Sequence, residues 1–181
     1  MVRKSPGTIY VVATPIGNLE DLSLRARRIL TEVDVIAAED TRHTAKLCRH
    51  FGINGKFVSM HGFNESARVD GLLQRVADGE SIAIVSDAGT PLISDPGYSL
   101  VKAAREQGVV VSPVPGACAV VAALSVAGLP SNRFVFEGFL PAKKSTRLKS
   151  LEALRSEVRT MVFYEAPHRL RDFLDDLDYI F

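Results

Sequence analysis

Apolar and polar positions alternate along the chain in two patterns. Short, mostly apolar runs at 9–13, 34–38, 57–60, 82–86 and 109–114 read as strands, and the unbroken IYVVA at 9–13 suggests burial on both faces, as in a parallel sheet. Between them, apolar residues recur at helical spacing. Leu22, Ala26, Ile29, Leu30 and Val33 share one face while Arg25, Arg27 and Arg28 take the wet one. The same reading places helices in TAKLCRHFG, with Gly52 at a C-cap position, in ARVDGLLQRVADG, closed by Gly79, in SLVKAAREQG, and from Ala117 onward. Strands alternating with helices in this way predict a three-layer α/β domain with a mostly parallel sheet over residues 1–128.

AGLPSNR, at 127–133, reads as a linker. A second α/β domain begins at 133 with RFVFEGFLP, a charged helix in STRLKSLEALRSEV, a strand in TMVFYEAP and an amphipathic helix that runs to Phe181. Only two strands are laid down there, and two make a poor sheet, so the expectation over 133–181 is an incomplete domain that further strands would complete.

Composition narrows the class. Of 181 residues, 46% are hydrophobic and 24% charged, the profile of a soluble globular protein. A net charge of +1 provides no global pull toward nucleic acid, so an RNA partner would have to be met by local basic patches. Candidates for phosphate contacts are Arg133, Lys143, Lys144, Arg147, Arg169 and Arg171. Cys48 and Cys118 form neither a disulfide framework nor a zinc motif, which fits a reducing, cytoplasmic setting, and no cluster requires a metal. Arg3 and Lys4 precede an apolar run too short for a secretion signal. Residues 109–129 carry no charge, but Pro113, Pro115 and Gly116 divide them into a buried strand, VVVSPV, and a helix too short to span a bilayer.

The strand ends carry the chemistry. SIAIVSDAGTPLISDPG, at 81–97, empties a strand into small and turn-forming residues: Gly89 accommodates positive φ and close ligand approach, Pro91 fixes the chain, and Pro96 and Gly97 turn it again. Ligands of open α/β sheets sit at such carboxyl ends. TPIGN (14–18), AEDTRHT (38–44), MHGFNE (60–65), PVPGACA (113–119) and FYEAPHR (163–169) end other strands. TPIGNL holds one glycine where a dinucleotide fingerprint needs three, and no Gly-Lys-Ser/Thr occurs, so nicotinamide and Walker-type nucleotide sites are disfavoured. PGACA suits ligand approach and close helix packing equally.

Taken together, VVATPIGNLEDL, AAEDTRHT, SDAGTPLISDPGY, PGACAVVAALSVAGLPS, FEGFLPAKK and FYEAPHRL resemble the tetrapyrrole methylase superfamily, and within it the bacterial methyltransferases of small-subunit ribosomal RNA. The resemblance spans about Ile9 to Arg169. It implies S-adenosyl-L-methionine as cofactor, held between two domains by Pro15, by Asp87, Ala88, Gly89, Thr90 and Pro91, and by Gly116, Ala117, Cys118 and Ala119. Phe139, Leu140, Tyr164 and Glu165 would add walls from the second domain. It further implies methyl transfer to the ribose 2′-oxygen of a cytidine in 16S ribosomal RNA, and a homodimer.

Acceptors at strand ends that could take the hydroxyl proton are Glu39, Asp40, His43, His61, Glu65 and Asp87. The AEDTRHT segment is favoured, with Arg42 on a phosphate and Asp40 or His43 as acceptor, although Asp40 or Thr41 is also placed to cap the following helix. A methylase of a tetrapyrrole or another small substrate, and a cofactor-binding module without catalysis, are the alternatives.

Overall fold

A computed structural model describes residues 7–62 and 64–181, so Arg3, Lys4 and Phe63 lie outside the described residues. The chain divides into two compact units, one reaching to Ala119 and one from Val120 to Phe181.

In the first unit, strands β1 (Thr8–Val12), β2 (Val35–Ala38), β3 (Phe57–Ser59), β4 (Ile82–Val85) and β5 (Val110–Val114) form one parallel sheet in the order β3-β2-β4-β1-β5. Every residue of β2 and β4 is buried, as expected of strands interior to a parallel sheet covered on both faces. Helices α1 (Leu24–Glu32) and α2 (Thr41–His50) cover one face. Their Ala26, Ile29, Leu30 and Cys48 pack with Val12, Ile36, Ala38, Ala83 and Val85. Helices α3 (Glu65–Ala77) and α4 (Tyr98–Glu106) cover the other, where Leu72, Leu73, Val76 and Leu100 meet Ile9, Val35, Ala37, Ile82 and Ile84. The helix after β1 and the helix after β4 therefore leave two neighbouring strands toward opposite faces. That is a topological switch point, where the carboxyl ends of the strands open a crevice.

The expected buried strand at 109–114 is instead the sheet edge: Val110 is 61% exposed and only Val114 is fully buried. VVVSPV pairs with β1 alone. Its uncharged composition suits one covered face and an edge that tolerates Pro113, which cannot donate to a further ladder.

The boundary falls after the first residue of α5 (Ala119–Val126), and the second unit continues through β6 (Phe134–Phe139), α6 (Lys144–Ala153), β7 (Thr160–Tyr164) and α7 (Leu170–Ile180). β6 and β7 pair in parallel, with an irregularity between Phe136 and Gly138 where Gly138 takes φ +62°. Leu140, Leu151, Phe173 and Ile180 form its small core. Arg147 lies within it: its Nε and Nη2 each stand 2.6 Å from Asp176 Oδ2, and its Nη1 donates to the Ala142 carbonyl at 3.0 Å. The expected phosphate contact at Arg147 is thus corrected, because a guanidinium 4% exposed and fully engaged cannot reach a ligand in solvent. Among the described residues no helix is long and apolar enough to cross a membrane.

Candidate active site

The loops after β1 and β4 meet at the switch point. Thr14 and Gly89 exchange backbone hydrogen bonds of 2.9 and 3.1 Å, and the Thr14 hydroxyl donates to the Ser86 carbonyl at 3.2 Å. Gly89 requires its glycine for φ +83°. The Thr90 hydroxyl then donates to the Ala117 carbonyl at 3.1 Å, joining the loop after β4 to the one after β5. At Gly116 a Cβ would lie 3.0 Å from the Ala13 Cβ, so the glycine lets the last loop close on the end of β1. Pro15, Asp87, Ala88, Gly89, Thr90, Pro91, Gly116 and Ala117 are thereby gathered along three adjacent strand ends. Cys118 and Ala119 follow at the start of α5, Ala119 being its first residue.

Gly89 is buried. A side chain there also meets Ile16 Cγ2 at 3.3 Å. Gly89→Val is accordingly expected to lower the melting temperature by several degrees, through positive-φ strain and crowding together. A thermal melt unchanged from the parent would contradict that.

The loop from Ser86 to Gly97 holds two further left-handed residues without the glycine that favours them, Leu92 at φ 73° and Ser94 at φ 68°. Non-glycine residues in this region cost free energy and gather at functional sites. Gly97, at φ +124°, leaves room for Leu92, whose Cδ1 would stand 2.9 Å from a Cβ there.

Carboxylates crowd the same edge. Burial, then the charges of Asp95 and Asp87, push the Glu39 carboxyl above its usual range. Burial and then the charge of Asp87 raise that of Asp95, against a lowering hydrogen bond from the Ser86 hydroxyl. A folded-state pKa raised in this way means that ionisation penalises the fold, so stability falls as pH rises through it. Asp95→Asn cannot ionise and keeps an acceptor oxygen. It is expected to melt higher than the parent at pH 7, with the gain gone below about pH 3.9, the unfolded carboxylate value. A variant melting lower at pH 7 would contradict this origin of the shift.

The AEDTRHT segment divides between loop and helix. Asp40 is the N-cap of α2, accepting the Arg42 N–H at 2.8 Å, and its carboxylate pairs with the Arg42 guanidinium at 3.0 and 3.2 Å. Its own N–H donates to Asp87 Oδ1 at 3.2 Å, which ties the start of α2 to the loop after β4. The Arg42 guanidinium, first by its side-chain hydrogen bonds, holds the Asp40 carboxyl at about 2. Such an acid is a weak base at neutral pH. Arg42 itself is 88% exposed.

His43 instead lines a cavity of about 650 Å³ beside the same loops, together with Pro15, Ile16, Gly17, Leu19, Lys46, Leu47, His50, Asp87 and Ala88. Of the residues expected at the site, Pro15, His43, Asp87 and Ala88 thus share one cavity. Lys46, Leu47, His50, Leu19 and Asp95 were not singled out by sequence reasoning. The signal for the first three was the spacing from His43, since positions 43, 46, 47 and 50 fall on one helix face.

The next strand end is structural. Glu65, nearly buried, accepts the Ser99 N–H in the first turn of α4 at 2.5 Å, and Asn64 accepts the His61 N–H at 2.8 Å. In the second unit, Arg169 Nη2 bridges the Leu140 carbonyl, at 2.9 Å, and Glu165, at 2.7 Å. Glu165 also accepts the Ala166 N–H at 2.7 Å, and the Tyr164 ring packs against those of Phe136 and Phe139. Leu140, Tyr164 and Glu165 are thereby held together, with Arg169 as internal brace rather than a free cation. Lys144 lies 3.5 Å from Asp176, while Arg133, Lys143 and Arg171 are exposed.

The chain is similar to known proteins. The chain is 58% identical over 177 residues to the ribosomal RNA small subunit methyltransferase I of Xylella fastidiosa (strain Temecula1), covering 98% of this chain and 65% of that protein. It is 55% identical over 173 residues to the protein of the same name from Escherichia coli O157:H7, covering 96% and 60%. The chain therefore spans 60–65% of the length of these relatives. A solved structure of uroporphyrin-III C-methyl transferase from Thermus thermophilus, complexed with S-adenyl homocysteine, superposes with a TM-score of 0.63 at 22% identity, covering 96% of this chain and 77% of the other. That likeness establishes the fold. The family profile of Tetrapyrrole (Corrin/Porphyrin) Methylases matches residues 8–179, nearly everything described above, and the chain belongs to that family.

Proposed function

We propose that the chain takes part in methyl transfer from S-adenosyl-L-methionine to the ribose 2′-oxygen of a cytidine in 16S ribosomal RNA, and that it works as a homodimer in the cytoplasm. The observation carrying this reading is the 58% identity, over 98% of the chain, to a ribosomal RNA small subunit methyltransferase I. The alternative reading is cofactor binding without catalysis.

The site's own chemistry fits the cofactor. Glu39, Asp87 and Asp95 gather negative charge where loops converge. A ligand bearing a sulfonium and an ammonium is favoured there, and its charge would offset the burial and the carboxylate repulsion that together raise Glu39 and Asp95. The backbone of 87–91 and 116–119 would line it, with Pro15 at one side. When bound, S-adenosylmethionine supplies a methyl group activated for transfer to oxygen.

The protein's part is positioning and proton acceptance. A ribose hydroxyl must be held in line with the methyl at near-attack distance, and that alignment supplies much of the acceleration. His43 takes the hydroxyl proton. Asp40, ionised and paired, holds Arg42, which does not line the cavity, toward a further phosphate of the RNA backbone and does not itself accept the proton. Calorimetric titration with S-adenosylhomocysteine tests the cofactor assignment: saturable binding that weakens in Asp95→Asn is expected, and no binding heat across the titration would contradict it.

A further inference from the structure

We infer that the groove between the loop after β1 and α2 seats the target nucleotide, with its base against Ile16, Leu19 and Leu47 and its flanking phosphate on Lys46 and His50. The inference rests on the reading above that the substrate is RNA, and it assigns that substrate a place and a direction.

Three observations carry it. First, the cavity is large enough for a nucleotide, at about 650 Å³, and lies within one unit of the chain. Second, its lip keeps large apolar side chains in solvent: Ile16 is 36% and Leu19 42% exposed. A base face laid on them removes that surface from water. Third, the groove is electrostatically polar along its length. At the amino end of α2 stands Asp87, which accepts the Asp40 N–H. Successive turns then present His43, Lys46 and His50 on one face. Among the described residues neither Lys46 nor His50 has an ion-pair partner, whereas Arg42 on the same helix is paired. His50 stacks edge-on against Phe51, with ring centroids 4.8 Å apart.

An anion is repelled at the Asp87 end and welcomed one to two turns away. A ribose at His43 with its phosphate directed toward Lys46 and His50 satisfies both. With a net charge of only +1, the protein has no general field that would make such a local row redundant.

Binding of the fluorescein-labelled chain to purified small ribosomal subunits lacking the methyl mark, followed by anisotropy at several salt concentrations, tests this. Lys46→Glu is expected to weaken binding roughly tenfold and to lower the salt slope by about one. Lys56→Glu, the same charge change on an exposed residue outside the groove, should stay within about twofold of the parent. S-adenosylhomocysteine affinity, by calorimetry, should be unaltered in both. If Lys46→Glu matches Lys56→Glu, the groove is not the nucleotide seat and the RNA reading stands without it. If Lys46→Glu loses S-adenosylhomocysteine affinity in step with subunit affinity, the groove belongs to the cofactor and the inference is wrong. If the parent chain fails to bind subunits, the RNA reading itself falls, and this inference with it.

Discussion

Asp176→Leu is expected to destabilise the second unit by about 3–5 kcal/mol, the range for stranding one member of a buried ion pair. Arg147 would remain in the core, 4% exposed, with only the Ala142 carbonyl still accepting from it. The surrounding apolar cluster is small, built on Leu140, Leu151, Phe173 and Ile180, so a loss of that size is a large part of what holds α6 and α7 together. Arg147→Met combined with Asp176→Leu should recover much of it, because the desolvation of both charges disappears with them. Chemical denaturation of the parent and the two variants makes the comparison. A single variant within 1 kcal/mol of the parent would mean that the pair is not buried in solution.

His43→Gln is expected to reduce methyl transfer by ~10²–10⁴-fold, the usual range for a general base, while cofactor affinity stays nearly unchanged. Asp40→Asn should act more mildly. Its carboxylate is held at about 2 by Arg42 and is spent on the helix cap, so its loss loosens Arg42 and raises KM more than it lowers kcat. Arg42→Ala should behave like Asp40→Asn, since the two act as one unit. Transfer and cofactor binding are to be assayed separately for each. If all three retain transfer within about threefold, the proton acceptor lies elsewhere and alignment alone is the better account.

The strands were legible because each is a local apolar run bounded by turn residues: all five predicted runs of the first unit overlap observed strands. Helix faces were legible for the same reason, and Gly52 and Gly79 do take the positive φ expected at helix ends. What could not be read depends on strand order. The uncharged 109–114 run looks buried until the order places it at the edge beside β1. Arg147 looks like a surface cation until a residue 29 positions later turns out to face it. The motif AEDTRHT marked a strand end that borders the cavity, but not how its residues divide between loop and helix. The pairing of Asp40 with Arg42 and the turn of α2 that carries His43 into the cavity depend on where the helix starts, Thr41 rather than Thr44. Asp95 was hidden for a similar reason: it lies in a loop whose left-handed Leu92 and Ser94 bring it back toward Asp87 and Glu39.

The central claim is methyl transfer to a ribose oxygen of small-subunit RNA, and mapping of 2′-O-methyl groups tests it most directly. Small ribosomal subunits from cells with and without the gene that encodes this chain are to be compared nucleotide by nucleotide. The account predicts one 2′-O-methylcytidine of 16S RNA present in the first and missing in the second, restored when the gene is returned and not restored by a copy carrying His43→Gln. Identical methylation in the two strains, or loss of a methyl group carried on a base rather than a ribose, would contradict it.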